Sequence, residues 1–206
     1  MLASFRKRAD VEGFGYQTLI NQVLRANVDG NGGIIMKGYV QVYTGNGKGK
    51  TTAAFGLALR SAGAGLKVFI AQFVKGMKYS ELESIGWLSD KITLHQYGRN
   101  CFIRRNPTEE DVALARDGLD RTRRAILSGD WDVVILDEAN IAVYFELFPV
   151  EELLTLIEEK PQHVELIITG RYADKRLIER ADLVTEMREV KHYYANGVKA
   201  RAGIEK

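Results

Sequence analysis

A short run rich in glycine and lysine limits the fold of this chain more than any other feature. Residues 44–51 read Thr-Gly-Asn-Gly-Lys-Gly-Lys-Thr, between the β-rich run Tyr39–Tyr43 and a helical pattern over Lys50–Ala62. A glycine loop between a strand and a helix points its backbone N–H groups, and the N-terminus of the helix, toward an anion. The run therefore predicts a phosphate-binding loop inside an α/β domain.

The rest of the chain alternates strand and helix patterns. Continuous apolar runs are typical of parallel strands that are covered on both faces. The predicted strands are Tyr39–Tyr43, Lys67–Phe73, Ile92–Gln96, Asp132–Leu136, Val164–Thr169 and Leu183–Glu186. The predicted helices are Lys50–Ala62, Ser80–Leu88, Thr108–Leu127, Val150–Glu159 and Asp174–Ala181. This order predicts an α/β fold of the P-loop (RecA-like) type, a mostly parallel sheet with helices on both faces.

Residues 1–36 differ in style from the remainder, and we predict that they form an N-terminal extension to a domain spanning 37–206. One apolar face predicts a short helix over Tyr16–Asn27, and the glycine-rich run 29–33 predicts a linker. Three interpretations remain open: an appended leader, a fused fragment, or a lid over the active site.

Composition narrows the function further. A formal net charge of +2 over 206 residues provides no chain-wide field for nucleic acid. One cysteine and three histidines are too few for a disulfide framework or a zinc cluster. The N-terminus lacks the apolar stretch of a secretory signal, and no apolar run approaches the ~20 residues of a membrane span. We therefore expect a soluble cytoplasmic protein that binds neither nucleic acid nor membrane.

The residues of the loop define the predicted phosphate chemistry. Lys50 supplies charge to the phosphates, and the hydroxyl of Thr51 is a ligand for Mg²⁺. Lys48 is an additional cation, with a solvated loop lysine as the alternative interpretation, and Thr44 stands where this pattern usually has glycine. The predicted nucleotide contacts along the loop are Thr44, Gly45, Asn46, Gly47, Lys48, Gly49, Lys50, Thr51 and Thr52.

A second motif, which is acidic, complements the phosphate loop. The run 133–138 reads Val-Val-Ile-Leu-Asp-Glu, an apolar strand that ends in two carboxylates. This Walker B arrangement places a carboxylate beside a magnesium ion held by Thr51. The sequence therefore predicts Thr51, Asp137 and Glu138 as the metal-binding residues, and Glu138 can alternatively serve as a general base on water.

Taken together, these motifs resemble those of the ATP:corrinoid adenosyltransferases of the P-loop type. The similarity includes the loop at 44–56, Gln72–Gly76, Leu136–Glu138, Ile168–Arg171 and Ala181–Met187, and it closes with Val190–His192 and Gly197–Glu205. It covers roughly residues 37–205. A threonine at position 44 and a lysine at position 48 are normal in that family, so the departure at Thr44 is accounted for.

The resemblance implies a reaction as well as a fold. Such enzymes transfer the 5′-deoxyadenosyl group of ATP to the Co(I) centre of a corrinoid and release tripolyphosphate. The cobalt is itself the nucleophile, so the protein has to stabilise the departing triphosphate, a task that suits Lys48, Lys50 and Mg²⁺. The implied corrinoid is cobalamin, cobinamide or cobyrinic acid diamide, and we expect the cob(I)yrinic acid a,c-diamide type of enzyme. A reduced flavoprotein as electron donor and a homodimer are also implied.

The resemblance assigns three further candidate residues. Arg171 at a strand end, and less strongly Arg60, are expected to contact the nucleotide, although Arg171 is also compatible with a surface ion pair. Phe102 is expected to cover the apolar face of the corrinoid, and a core aromatic is the alternative. Two departures from the family pattern are Asn100, where glycine is more usual, and Lys206, where the chain often ends on an aromatic.

Two rival functions remain. The first is a P-loop ATPase in which Glu138 activates water and hydrolysis drives a conformational switch. The second is a non-catalytic module with an N-terminal piece that binds DNA, which the near-neutral charge disfavours.

Overall fold

The computed structural model of the chain describes residues 37–77, 79–100 and 106–205. The predicted N-terminal extension, with its helix at Tyr16–Asn27, and the predicted corrinoid residue Phe102 lie outside these ranges. The strands are β1 (Val40–Thr44), β2 (Val68–Phe73), β3 (Ile92–Tyr97), β4 (Val133–Asp137), β5 (Glu165–Thr169) and β6 (Leu183–Glu186). The helices are α1 (Lys50–Gly63), α2 (Ser80–Gly86), α3 (Glu109–Ser128), α4 (Ala139–Tyr144), α5 (Val150–Glu159) and α6 (Lys175–Arg180), followed by a 3₁₀ turn at Tyr193–Asn196.

The strands form one six-stranded sheet in the order β3-β2-β4-β5-β1-β6. Every paired strand runs parallel to its neighbour, which confirms the α/β class predicted from the sequence. Because β1, β5, β4 and β2 lie side by side, their carboxyl ends meet at one edge of the sheet. In open parallel sheets this edge is where ligands bind.

The core is divided by the sheet into two layers. Successive strand residues point to opposite faces, so Ile70 and Ile135 pack on one side while Phe69 and Val134 pack on the other. The first layer is covered by α1, through small residues such as Ala54 and Ala58. Helices α3 to α6 contribute to the second layer. Helices on both faces, as predicted, explain why the strands are apolar throughout.

The predicted element boundaries agree with the observed ones to within one or two residues, apart from α4. This short helix begins directly after β4, and Glu138 at its start has a positive φ of 59° and no side-chain cap. A helix of six residues without a capping residue carries too little pattern to be recognised. None of the helices in the described ranges combines the length and apolarity needed to cross a lipid bilayer.

Candidate active site

The phosphate loop lies between β1 and α1 and is backed by the segment that follows β6. Gly47 donates its backbone N–H to the carbonyl of Met187 at 2.7 Å. Gly45 has a φ of 93°, and a Cβ added to it would lie 2.4 Å from the same carbonyl oxygen. Gly49, at the start of α1, has a φ of 118°. Gly45 is required by its left-handed backbone and by this close approach, and Gly49 by its left-handed backbone, so the loop needs both glycines for its shape as well as for its ligand.

Lys50 is folded back over this loop. Its ammonium donates to the carbonyl oxygens of Gly45 and Gly47, at 2.8 and 2.7 Å. Burial lowers the pKa of Lys50, against the opposing influence of the Glu138 and Asp137 carboxylates. The cation therefore sits at the mouth of the loop, where triphosphate oxygens can replace the two carbonyls as its partners.

Asp137, the last residue of β4, is fully buried within a complete set of hydrogen bonds. Oδ1 accepts from the hydroxyls of Thr51 at 2.9 Å and Thr169 at 2.7 Å. Oδ2 accepts from Lys75 Nζ at 2.8 Å and from Gln72 Nε2 at 3.1 Å. Burial alone would raise the pKa of Asp137, but the charge of Lys75 and these hydrogen bonds hold that pKa below its ordinary value. The carboxylate is therefore ionised and links the ends of β2, β4 and β5 to the phosphate loop.

Glu138 has a different environment from its neighbour. Its backbone N–H donates to Thr169 Oγ1 at 3.0 Å, whereas no residue within 37–77, 79–100 or 106–205 donates a hydrogen bond to its carboxylate. Burial and the nearby Asp137 raise the pKa of Glu138, and the charges of Lys75, Lys50 and Arg171 act against that rise. A carboxylate so placed among cations, with its oxygens open, is suited to take up a divalent ion.

Lys48 extends to the other side of the loop and contacts the C-terminal segment, residues 192–205. Its ammonium lies 2.9 Å from the carbonyl oxygen of Ile204, 3.0 Å from Glu205 Oε1 and 3.3 Å from Tyr193 Oη. Glu205 also accepts from the Tyr193 hydroxyl and pairs with Arg201. Hydrogen bonds from Arg201 and Tyr193 lower the pKa of Glu205. All three N–H groups of Lys48 are thus directed at protein oxygens.

These groups surround a cavity of about 1050 Å³. Its charged lining consists of the loop 46–52 together with Lys75, Glu138 and Arg171. Apolar side chains on and beside α1 and α2 also line it, namely Phe55, Leu59, Met77, Tyr79, Ile85 and Leu88. The cavity can therefore offer cations to a polyphosphate and apolar surface to a ring system.

The structure brings most of the sequence-predicted site residues to this cavity. Those that line it are Asn46, Gly47, Lys48, Gly49, Lys50, Thr51, Thr52, Glu138 and Arg171. Thr44, Gly45 and Asp137 lie directly behind that lining, at the ends of β1 and β4. Arg60 lies exposed in the last turn of α1 and does not belong to the cavity lining, although its neighbour Leu59 does. Its predicted nucleotide contact stays a prediction.

The oxygen ligands in the site fit a magnesium ion. Thr51 and Glu138 both line the cavity, and Asp137 accepts a hydrogen bond from the hydroxyl of Thr51. Within the described ranges no group of three or more His, Cys, Asp or Glu residues is placed to hold a metal by itself. At a nucleotide, Mg²⁺ is usually bound by only one or two protein oxygens, and phosphate and water supply its other ligands.

Sequence reasoning assigned no role to several residues that the fold brings to the site. Lys75 and Thr169 contact Asp137, and Tyr193 and Glu205 contact Lys48. Lys75 follows the end of β2, so its position beyond a parallel strand was a signal that could have identified it. Glu205 is 157 residues from Lys48, and nothing in the local pattern connects the two.

Comparison with known proteins identifies the family of the chain. The family model described as ATP:corrinoid adenosyltransferase BtuR/CobO/CobP matches residues 36–205. The corrinoid adenosyltransferase of Escherichia coli (strain K12) is 37% identical over 173 residues, which cover 82% of this chain and 86% of the relative. The corrinoid adenosyltransferase CobA of Salmonella typhimurium is 35% identical over 173 residues, with 82% and 86% covered. That of Pseudomonas aeruginosa is 34% identical over 170 residues, with 82% and 84% covered. The chain, with its phosphate loop, its buried Walker B aspartate and this similarity along most of its length, belongs to the family of ATP:corrinoid adenosyltransferases.

Proposed function

We propose that the chain transfers the 5′-deoxyadenosyl group of ATP to the reduced cobalt of a corrinoid and releases tripolyphosphate. The observation that carries the proposal is the cavity of about 1050 Å³, whose lining combines the cations of the phosphate loop with apolar side chains on and beside α1 and α2. Relatives from three bacteria, matched over more than four fifths of this chain, carry the name corrinoid adenosyltransferase.

The residues of the site suit the chemistry of alkyl transfer. The electron pair of Co(I) forms a bond to C5′ of ATP, the C5′–O bond breaks, and its electrons leave with tripolyphosphate. Negative charge therefore grows on the 5′ oxygen, and we propose that Lys48, Lys50 and the N–H groups of the loop, which lines the cavity, stabilise it. Since the cobalt is the nucleophile, the reaction needs no general base.

The magnesium proposal concerns Thr51 and Glu138 in the cavity lining, and Asp137 behind them. Thr51 and Glu138 would contact Mg²⁺ directly, with Glu138 offering the open carboxylate, and Asp137 would contribute by orienting the hydroxyl of Thr51. When bound, the ion neutralises part of the charge on the leaving tripolyphosphate.

Further contacts to the nucleotide and to the corrinoid are proposed from the positions of individual residues and from the family. Arg171 lies in the cavity lining beside Glu138 and Lys50, which supports a contact to the nucleotide. Arg60 is the weaker nucleotide candidate, and Phe102 is proposed to lie against the corrinoid. The division into an extension at 1–36 and a catalytic domain at 37–206 belongs to the same proposal.

The finer functional assignments are proposals by family analogy. The corrinoid is cobalamin, cobinamide or cobyrinic acid diamide, and we favour an enzyme of the cob(I)yrinic acid a,c-diamide type. A reduced flavoprotein in the cytoplasm would supply the electrons. A homodimer is expected, and light scattering of the full chain measures that state directly.

One experiment tests the reaction. The protein is incubated with ATP, Mg²⁺ and chemically reduced cobalamin, while the visible spectrum and the phosphate products are followed. We expect the spectrum of an adenosyl-corrinoid, together with one tripolyphosphate for each Co–C bond formed. Steady release of ADP without a Co–C bond would instead establish the rival ATPase function.

Two variants separate phosphate binding from corrinoid binding. Lys50→Ala should abolish turnover under either function, because both need the triphosphate held, so it does not discriminate between them. Phe102→Ala should weaken corrinoid turnover and leave the affinity for ATP unchanged. Equal loss of both properties in Phe102→Ala would contradict the placement of this residue at the corrinoid.

A further inference from the structure

Lys75 occupies a position that the P-loop chemistry of this fold otherwise gives to a metal ion. Its ammonium lies 2.8 Å from Asp137 Oδ2 and 3.1 Å from Thr51 Oγ1. In P-loop enzymes the hydroxyl of the loop and the Walker B aspartate are the two protein groups that hold Mg²⁺. Here a side chain of the protein bridges them.

The backbone on both sides of Lys75 fixes the position of this ammonium. Val74 has a φ of 59° and donates its N–H to the carbonyl of Tyr97 at 3.1 Å. Gly76 packs so closely on the end of β3 that an added Cβ would lie 2.2 Å from the carbonyl oxygen of Gly98. Lys75 is thus held between two constrained residues at the end of β2, and its side chain is only 17% exposed.

Charge and coordination at Asp137 are already satisfied. A carboxylate offers about four lone-pair sites, and Asp137 uses its two oxygens to accept from Thr51, Thr169, Lys75 and Gln72. The ammonium of Lys75 and this carboxylate form a buried ion pair, in which the side chain of Asp137 has no exposed surface. A divalent ion placed between Thr51 and Asp137 would meet this ammonium at close range.

Glu138, by contrast, is open to the cavity. Thr51, Lys75 and Glu138 all belong to the cavity lining, whereas Asp137 has a side chain with no exposed surface. The Thr51 hydroxyl gives its proton to Asp137 and accepts from Lys75, which leaves one lone pair on its oxygen for a further partner.

We propose that Lys75 is the resident cation of the phosphate site: it holds the place between Thr51 and Asp137, so that the divalent ion accompanying ATP binds on the Glu138 side. Asp137 is then a positioning residue, which fixes Lys75 and the Thr51 hydroxyl without ligating the metal. This inference rests on the proposed function in so far as the ion arrives with ATP, and it deepens the description of the same site.

Manganese binding to the full-length protein, followed by electron paramagnetic resonance without nucleotide, tests the first half of the proposal. Replacement of Lys75 by methionine removes the charge and leaves Asp137 open, so Lys75→Met should bind Mn²⁺ at least roughly tenfold more tightly than the wild type. The double variant Lys75→Met/Asp137→Asn should lose this gain. Lys67→Met, at the opposite end of β2, is the matched control and should bind Mn²⁺ as the wild type does. Equal Mn²⁺ affinity in Lys75→Met and wild type, or a gain that survives Asp137→Asn, overturns the proposal.

Binding of Mn²⁺ together with ATP tests the second half, even if Lys75→Met does not fold. In Lys75→Met/Asp137→Asn the buried pair is replaced by neutral groups of similar size, and Thr51 and Glu138 remain. We expect its affinity for the manganese complex of ATP to stay within roughly threefold of the wild type, and Glu138→Gln to lose at least roughly tenfold. A tenfold loss in the double variant would make Asp137 a ligand and refute the proposal. Manganese binding needs no corrinoid, so its failure and a failure of adenosyl transfer are separate results.

Discussion

Lys48, Lys50 and Lys75 reach the phosphate site from different positions, and oxygen atoms of the protein hold each of them there. Lys50 is held by loop carbonyls, Lys75 by Asp137, and Lys48 by the C-terminal segment. An ammonium already hydrogen-bonded gains only the difference between its old and new partners when a phosphate arrives. The site is therefore preorganised in charge, and part of the binding free energy of ATP is spent in replacing internal partners.

Another ion pair involves Arg99, three residues before the predicted corrinoid residue Phe102 in the sequence. Arg99, just after β3, donates two hydrogen bonds to Asp111 at 2.7 and 2.8 Å. Asp111 is buried, and its carboxylate also accepts the N–H of Thr108, which completes a capping box at the start of α3. One carboxylate thus holds both Arg99, just after β3, and the start of α3.

Asp111→Asn should destabilise the fold by about 2–3 kcal/mol at neutral pH, because it removes the buried carboxylate charge that accepts two hydrogen bonds from Arg99. Hydrogen bonding to Arg99 lowers the pKa of Asp111 below its ordinary 3.8. A depressed carboxyl pKa contributes stability that is fully present above the unfolded value and is lost as the pH falls below it. Urea unfolding at pH 7 and at successively lower pH below 4 measures both effects, and the variant should show the weaker pH dependence.

Asp117→Asn is the matched control for this prediction. Asp117 pairs with Arg121 on the same helix, but both side chains are about half exposed. Exposed pairs of this spacing contribute roughly 0.5 kcal/mol or less. Equal destabilisation by the two substitutions would show that the Arg99–Asp111 pair has no special importance.

At the scale of elements, the C-terminal segment is where the structure of the site departs most from the sequence prediction, which gave this segment no role. Tyr193 and Glu205 converge on Lys48, and Ile204 and Glu205 belong to the cavity lining. An internal carboxylate thus pairs with a lysine that we expect to bind triphosphate. The same carboxylate can compete with the product tripolyphosphate for that lysine.

Glu205→Gln should strengthen the binding of tripolyphosphate by roughly three- to tenfold, because it removes a competing negative charge from Lys48. Isothermal titration with tripolyphosphate and Mg²⁺, in the absence of corrinoid, measures this directly. Glu158→Gln, on the exposed face of α5, is the control and should have no effect. Weaker binding in Glu205→Gln would show instead that the C-terminal segment positions Lys48 for the phosphates.

At the scale of the whole molecule, the parallel sheet unites the site. The loop follows β1, Lys75 follows β2, Asp137 ends β4 and Thr169 ends β5. Because neighbouring strands run parallel, these positions share one edge although they are distant in sequence. The described residues that we assign to the nucleotide site all lie between residues 37 and 205.

Deletion of residues 1–35 tests what the N-terminal extension adds. Since the phosphate loop and its contacts all lie within the remaining chain, the affinity for ATP should stay within roughly twofold of the wild type. Turnover of the corrinoid is the second measurement. Unchanged turnover would rule out a lid, whereas a loss of ATP affinity would contradict the assignment of the nucleotide site to 37–205.

The sequence by itself determined the fold class, the phosphate loop and the family. The apolar strands and the helices between them follow from local periodicity, and the glycines and Lys50 of the loop form a contiguous motif. Such features depend on neighbours in the chain, so the pattern carries them. Helix α4 escaped prediction because a turn of six residues without a cap has almost no local signal.

Only the tertiary structure decided how the charges of the site are partnered. Nothing local distinguishes Asp137, saturated by Thr51, Thr169, Lys75 and Gln72, from Glu138, whose carboxylate faces the cavity. Likewise, Lys48 meets Glu205 only because β6 and the residues after it return to the loop. These partnerships depend on strand order and burial, which join residues that are far apart in sequence.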